Sequence, residues 1–244
     1  MDGPYAGSIA LVTDCLIIAV DGPAGSGKSS AARGVARGLG LRYLDTGAMY
    51  RALTWWMLSR GIPVDDADAV AQHIGAPVIE VGTDPDGPWV TVDGQDVTAA
   101  IRTREVSGAV SAVARVPQVR ARLIGMQREI IARARAEGRG IVAEGRDIGT
   151  VVAPDAVVKV FLTASEVARA TRRTAELATD PTATVTTTRA EQARRDRMDA
   201  AQMAKAPDAV DIDSTLFPLE DVIEMIADLA TQRAELPDTA RTTR

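Results

Sequence analysis

Between Ile17 and Gly34 the chain reads IIAVDGPAGSGKSSAARG, and this stretch constrains the fold more than any other. Leu16 to Val20 is an apolar run suited to a buried parallel strand. Lys28 to Leu39 has helical character, so the glycines between them form a strand-to-helix turn. Gly22, Gly25 and Gly27 permit backbone angles that other residues resist. Several N–H groups can then converge on an anion at the positive end of the helix. The run Gly22-x-x-x-x-Gly27-Lys28-Ser29 matches the P-loop pattern, with Lys28 placed for the β- and γ-phosphates of a nucleotide and Ser29 for Mg²⁺. The alternative, a glycine-rich turn that binds nothing, does not explain why strand, glycines, lysine and serine fall in this order. Composition sharpens the point: the chain has three lysines, Lys28, Lys159 and Lys205, against twenty-five arginines.

Strand and helix signals alternate along the chain. Strands are expected at Leu16–Val20, Arg42–Asp45, Gly140–Gly145, Ala156–Leu162 and Asp208–Asp213. Helices are expected at Lys28–Leu39, Ala48–Arg60, Gln118–Ala136, Glu166–Ala178, Arg189–Ala204 and Leu219–Arg233. Such alternation predicts an α/β fold, a parallel five-stranded sheet flanked by helices, with ligands at the carboxyl ends of its strands. Asp45 and Glu144 then fall near the P-loop. Residues 77–98, PVIEVGTDPDGPWVTVDGQDVT, break the pattern with two alternating runs separated by Asp, Pro and Gly, an antiparallel hairpin signal. An inserted small lobe is therefore expected at 62–112, within a core made of 14–61 and 113–235. Tails are expected at 1–13 and 236–244. The stretch TDPTATVTTTRAEQARR reads either as a solvated loop or as part of a mobile lid at about 172–195.

At 244 residues there is room for one substantial domain with an insertion. A net charge of −5 argues against a general nucleic-acid surface. Cys15 is the only cysteine, which excludes an internal disulfide framework and a cysteine-based zinc site. It is expected to pack beside the first strand. The first residues lack the basic start of a signal peptide, and no apolar run is long enough to span a bilayer. The cytoplasm is the expected compartment. The lone His73, in DADAVAQHIG, reads as a surface or boundary residue of a short helix.

A P-loop by itself does not name a reaction. A guanine-reading GTPase would usually carry Asn-Lys-x-Asp, and the chain contains no asparagine. Its arginines point instead to a second anion facing the first. Thr46 and Arg51 open a helix after a strand end, Arg120 opens another, and Arg146 and Asp147 lie just past a strand end. Arg169, Arg172 and Arg173, and then Arg194, Arg195 and Arg197, are equally compatible with ordinary helix surface.

The segments DGPAGSGKSS, YLDTGAMYR, IRTREV, VPQVR, EGRDIGTVVAPDAVVKVFLTAS, RRDRMD and DAVDIDST, in this order, resemble bacterial cytidylate kinases across most of residues 16–215. The hairpin lobe resembles the extended acceptor domain of those enzymes. The resemblance implies transfer of phosphate from ATP to CMP or dCMP with Mg²⁺, by a monomer that binds no nucleic acid and no membrane. On the donor side it implies that Gly22, Pro23, Ala24, Gly25, Ser26, Gly27, Lys28, Ser29 and Ser30 hold ATP, with Ser29 at the metal. On the acceptor side it puts Arg51 and Arg146 at the monophosphate, Thr46, Arg120 and Asp147 at the cytosine edge, and Ser111, Arg195 and Asp199 at the ribose. Arg172 and Arg173 resemble lid arginines, which with Lys28 and Arg146 would be the catalytic cations.

One segment departs from the pattern. The family usually has an arginine three residues after the Asp of RDRMD and then a Pro-Leu pair. Here Gln202 stands at the arginine position, no Pro-Leu follows, and the segment before Asp208 is short. Arg197 or Lys205 could substitute. The rival readings are another small-molecule kinase on the same scaffold and a P-loop protein that binds nucleotide with an impaired acceptor site.

Overall fold

A computed structural model describes residues 16–177 and 182–234. Cys15, the expected tails at 1–13 and 236–244, and residues 178–181 within the expected lid lie outside the described residues. The chain begins with β1 (Ile17–Asp21), α1 (Lys28–Gly38), β2 (Arg42–Asp45) and α2 (Thr46–Ser59). The lobe follows, with α3 (Ala67–His73), β3 (Ile79–Val81), β4 (Val90–Val92), β5 (Gln95–Asp96) and α4 (Arg104–Ala114). Next come α5 (Pro117–Ala136), β6 (Ile141–Gly145), β7 (Val158–Thr163), α6 (Glu166–Glu176), α7 (Val185–Asp199), β8 (Val210–Asp213) and α8 (Leu219–Ala234).

The main sheet runs in the order β2-β6-β1-β7-β8, and every neighbouring pair is parallel. β1 lies at its centre with all five residues buried, which is why the strand reads as a continuous apolar run. Its side chains alternate between two hydrophobic layers. Ile17 and Ala19 pack with residues of α2, α5 and the lobe, whereas Ile18 and Val20 pack with those of α1 and α8. Asp21, Asp45 and Gly145 thus end three adjacent strands at one edge of the sheet, where ligands are expected.

The lobe carries its own antiparallel sheet, β3-β4-β5. Its buried residues Val70, Ile79, Val90, Val92, Val97 and Ile101 join the cluster that contains Ile17, Ala19 and Leu44, so lobe and core share one apolar layer. Its hairpin loop also docks on the core through polar groups. Thr83 O accepts from the Tyr43 N–H at 2.9 Å, and Pro85 O accepts from Arg33 and Arg37, each at 3.2 Å.

Element boundaries at α2 and α7 differ from the sequence expectation. α2 starts at Thr46 rather than Ala48 because Asp45 caps it, accepting from the Ala48 N–H at 2.9 Å. The threonine-rich stretch is not all loop: α7 begins at Val185, four residues before the expected Arg189. Thr184 and Thr187 form a reciprocal capping box there, at 3.1 and 3.0 Å. α7 ends at Asp199 instead of Ala204 and passes into a short 3₁₀ turn at Ala200–Gln202.

Candidate active site

The strand ends, the P-loop, α2, α4, α6 and α7 enclose a cleft of about 1220 Å³. At one end lies the P-loop. Gly25 and Gly27 have φ of 77° and 91°, conformations that favour glycine. At Gly22 a Cβ would come within 2.1 Å of Leu162 O, so the loop can follow β1 only because a glycine lets it pass β7. Lys28 is buried, and its Nζ donates to Pro23 O at 2.8 Å. Burial, and secondarily Arg146, drives its pKa well below the usual lysine range. Of the other lysines, Lys159 pairs with Asp208 and Lys205 with Asp211. Ser29 Oγ donates to Glu144 Oε1 at 2.6 Å. Burial, and then the charge of Asp45, raises the pKa of Glu144.

Across the cleft stands a cluster of cations. Arg51 donates to Ser107 Oγ at 2.7 Å, and burial, opposed by Asp45 and reinforced by Arg173, pushes its pKa down to about 10. Burial, followed by the charges of Arg51 and Arg146, pushes Arg195 down to about 9. In both, burial is the leading cause and repulsion from neighbouring arginines adds to it. Arg146 sits between the two ends. Its NH1 donates to Gly22 O at 3.0 Å and its Nε to Asp199 Oδ2 at 3.3 Å. Deeper in, Arg120 pairs with Asp147, and Thr46 Oγ1 donates to Glu144 O at 2.7 Å. Ser111 lines the same space, with a buried Oγ that has no hydrogen-bond partner among the described residues.

The sequence-predicted residues therefore converge: Ala24 to Ser30, Thr46, Arg51, Ser111, Arg120, Arg146, Asp147, Arg172, Arg173, Arg195 and Asp199 all line this cleft. Gly22 and Pro23 lie behind its wall and act through their carbonyls. Arg172 is held by Ser214, to Oγ at 3.0 Å and to O at 2.6 Å, and Arg173 pairs with Glu176. His73 bonds Ala69 O on α3, away from the cleft.

A family model described as cytidylate kinase matches residues 18–232. The chain belongs to the cytidylate kinase family. Relatives named cytidylate kinase include one from Streptomyces avermitilis, 50% identical over 228 residues, covering 92% of this chain and 96% of the relative. Another, from Streptomyces coelicolor, is 53% identical over 222 residues, covering 89% and 94%. A third, from Mycobacterium avium, is 48% identical over 231 residues, covering 91% and 97%. This member of the cytidylate kinase family is thus an enzyme, a nucleotide-binding phosphotransferase with ATP as donor. No described helix is long and apolar enough to cross a membrane.

Sequence reasoning left several residues of this cytidylate kinase site unassigned. Glu144 was visible only as an acid at a strand end, yet it receives the hydrogen bond of Ser29. Arg169 looked like helix surface. It is buried, donating to Ala24 O at 2.9 Å and pairing with Asp196 at 2.6 Å, and so supports the P-loop from beneath. Ser107 and Ser214 carry no local signal at all. The two candidate substitutes for the family's arginine lie outside the cleft lining: Lys205 pairs with Asp211 at 2.7 Å, and Arg197 is exposed. Gln202 does line it, donating to Ala114 O at 3.4 Å.

Proposed function

We propose that this chain carries out its family's reaction, ATP plus CMP or dCMP giving ADP and CDP or dCDP, by holding the two nucleotides head to head in one cleft. The observation that carries this reading is the position of Arg146, bonded both to the P-loop carbonyl of Gly22 and to Asp199 on the acceptor side. The nucleophile is an oxygen of the acceptor monophosphate. With a second pKa of about 6 it is largely ionised near neutrality, so no general base is needed. The obstacle is repulsion between two polyanions, and the remedy is positioned positive charge. In this reading Lys28 and the P-loop N–H groups hold the donor phosphates. Arg51 and Arg146 hold the acceptor phosphate, and Arg172 and Arg173 close over the transferred group and help exclude water. Ser29 and Glu144, hard oxygen donors 2.6 Å apart, fit a Mg²⁺ ion shared with the ATP phosphates, which would add charge neutralisation there.

Base choice follows from donor and acceptor directions. Cytosine offers an exocyclic amino group where uracil offers a carbonyl oxygen. The Thr46 hydroxyl spends its proton on Glu144 O and is left as an acceptor, and the Asp147 carboxylate also accepts. Both suit the amino group, with Arg120 supplying the complementary donor. Ser111, Arg195 and Asp199 would hold the ribose. In this reading the enzyme acts as a monomer in the cytoplasm on free nucleotides, with the lobe at 62–112 receiving the acceptor.

The decisive experiment is an ADP-release assay with a panel of nucleoside monophosphates. CMP or dCMP should stimulate most strongly. Stimulation by another acceptor with none by CMP would overturn the reading. In the same assay Asp147→Ala is expected to weaken use of CMP by roughly tenfold to a hundredfold, the worth of a charged hydrogen bond. Arg51→Ala should act likewise through the monophosphate. ATP hydrolysis without acceptor should stay near its wild-type rate in both, and equal loss of ATP affinity would place these residues on the donor side.

Gln202 gives a further test. A neutral amide in place of the arginine expected from the family pattern should cost acceptor binding about 1–3 kcal/mol. Gln202→Arg combined with about four inserted residues that include Pro-Leu is expected to lower the CMP constant roughly tenfold or more and sharpen rejection of UMP. A CMP constant already tight and unmoved by this repair would show that another group makes the contact.

A further inference from the structure

Asp21 is the last residue of β1, buried at 5% exposure, and it does not line the cleft. A carboxylate in such a place requires donors. It has two: the backbone N–H of Ile148 reaches Oδ1 at 2.8 Å, and that of Gly149 reaches Oδ2 at 2.8 Å. These N–H groups open a π-helical turn at Ile148–Val152, immediately after Arg146 and Asp147, and Asp147 gives that turn no side-chain cap. The next residue of the chain, Gly22, accepts from Arg146. A dipeptide at the root of the P-loop therefore grips, through one carboxylate and one carbonyl, the loop that carries both acceptor-side groups.

We propose that Asp21 is a positioning residue for the acceptor, fixing the backbone that aims Asp147 by accepting the Ile148 and Gly149 N–H groups. The inference rests on the acceptor-side reading of Asp147. Its geometry leaves little slack. The turn is walled on its other side by Lys159, whose side chain lies 3.2 Å from where a Cβ on Gly149 would sit. Asp147, one peptide bond from the anchored Ile148 N–H, is itself paired with Arg120 of α5. The carboxylate is matched to its task because each of its two oxygens accepts a backbone N–H of the turn. Burial raises the Asp21 pKa, and the two N–H bonds oppose that rise. An asparagine would present an N–H₂ to one of the two N–H groups, separating the turn from the strand at that point.

The test is a cycle of Asp21→Asn, Asp147→Ala and the double variant, with constants for CMP and ATP measured separately and the folded fraction monitored by melting. Asp21→Asn is expected to raise the CMP constant about tenfold while moving the ATP constant less than about threefold, and to lessen preference for CMP over UMP. In the Asp147→Ala background the same change should lose most of its effect on the CMP constant, because the group it positions is gone. Asp21→Glu, which keeps the charge on a longer arm, should recover part of the CMP constant. Equal effects on both nucleotides, or additive effects in the cycle, would overturn the inference and leave Asp21 a fold residue. An unaltered CMP constant in Asp147→Ala alone would overturn the acceptor reading, and this inference with it.

Discussion

Replacing Lys28 with alanine is expected to lower kcat/KM by about 10³-fold or more, corresponding to roughly 4 kcal/mol of lost transition-state stabilisation. In the proposed reaction the charge that develops on the transferred group would be met by cations held at fixed points, and Lys28 is the one lysine that lines the cleft. Its Nζ is already oriented by Pro23 O at 2.8 Å, so the site does not have to organise it during the reaction. The fold should tolerate the change. An ammonium buried against its own tendency to ionise contributes little stability without its phosphate partners, and its removal leaves β1 and α1 packed as before. Melting temperature should therefore stay within a few degrees of wild type, by the few tenths to ~1 kcal/mol expected of such a change, while ADP production collapses. The rise in melting temperature on adding ATP should shrink in parallel. A variant that retains near-normal turnover would remove Lys28 from the machinery.

Arg146→Ala is expected to follow closely, with kcat reduced about 10²- to 10³-fold. This guanidinium contacts both halves of the site, so its loss should differ in kind from that of Arg51. Arg51→Ala should appear as a weaker CMP constant, whereas Arg146→Ala should slow the step itself and weaken both nucleotides modestly. Arg146→Lys is the informative companion. It retains a charge but cannot reach Gly22 O and Asp199 at once with a planar fork, so it should recover no more than about a tenth of the lost rate. Steady-state constants for CMP and ATP measured side by side would check this. Full recovery by lysine would mean that a point charge suffices and that the bridge between donor and acceptor ends is incidental.

The parts of the site that could be read in advance are those whose cause is local. The glycines, Lys28 and Ser29 stand within one turn, and their spacing alone makes an anion site at a helix end. Arg42–Asp45 forms a strand over the expected residues. Local reading failed where the decisive partner is distant in sequence. Arg169, Arg172 and Arg173 look alike on a helical wheel. The first supports Ala24 O from beneath, the second is tied to Ser214, and the third pairs with Glu176 on its own helix. No periodicity separates these roles. Threonines at 184 and 187 read as loop because their hydroxyls compete with the backbone, yet the same competition, placed at the helix start, satisfies the first N–H groups and begins α7.

The sequence by itself determined a parallel α/β sheet, a phosphate cradle at the end of its first strand, and an excess of arginine over lysine suited to a second anion. The tertiary structure alone decided which arginines line the cleft, that Glu144 receives Ser29, and that Asp21 reaches across 127 residues to the turn behind Asp147. The physical reason is range. Backbone angles and helix-end charge are set by neighbours in the chain, whereas burial, repulsion among cations and the partner of a buried carboxylate exist only once β1, β6 and β7 lie side by side.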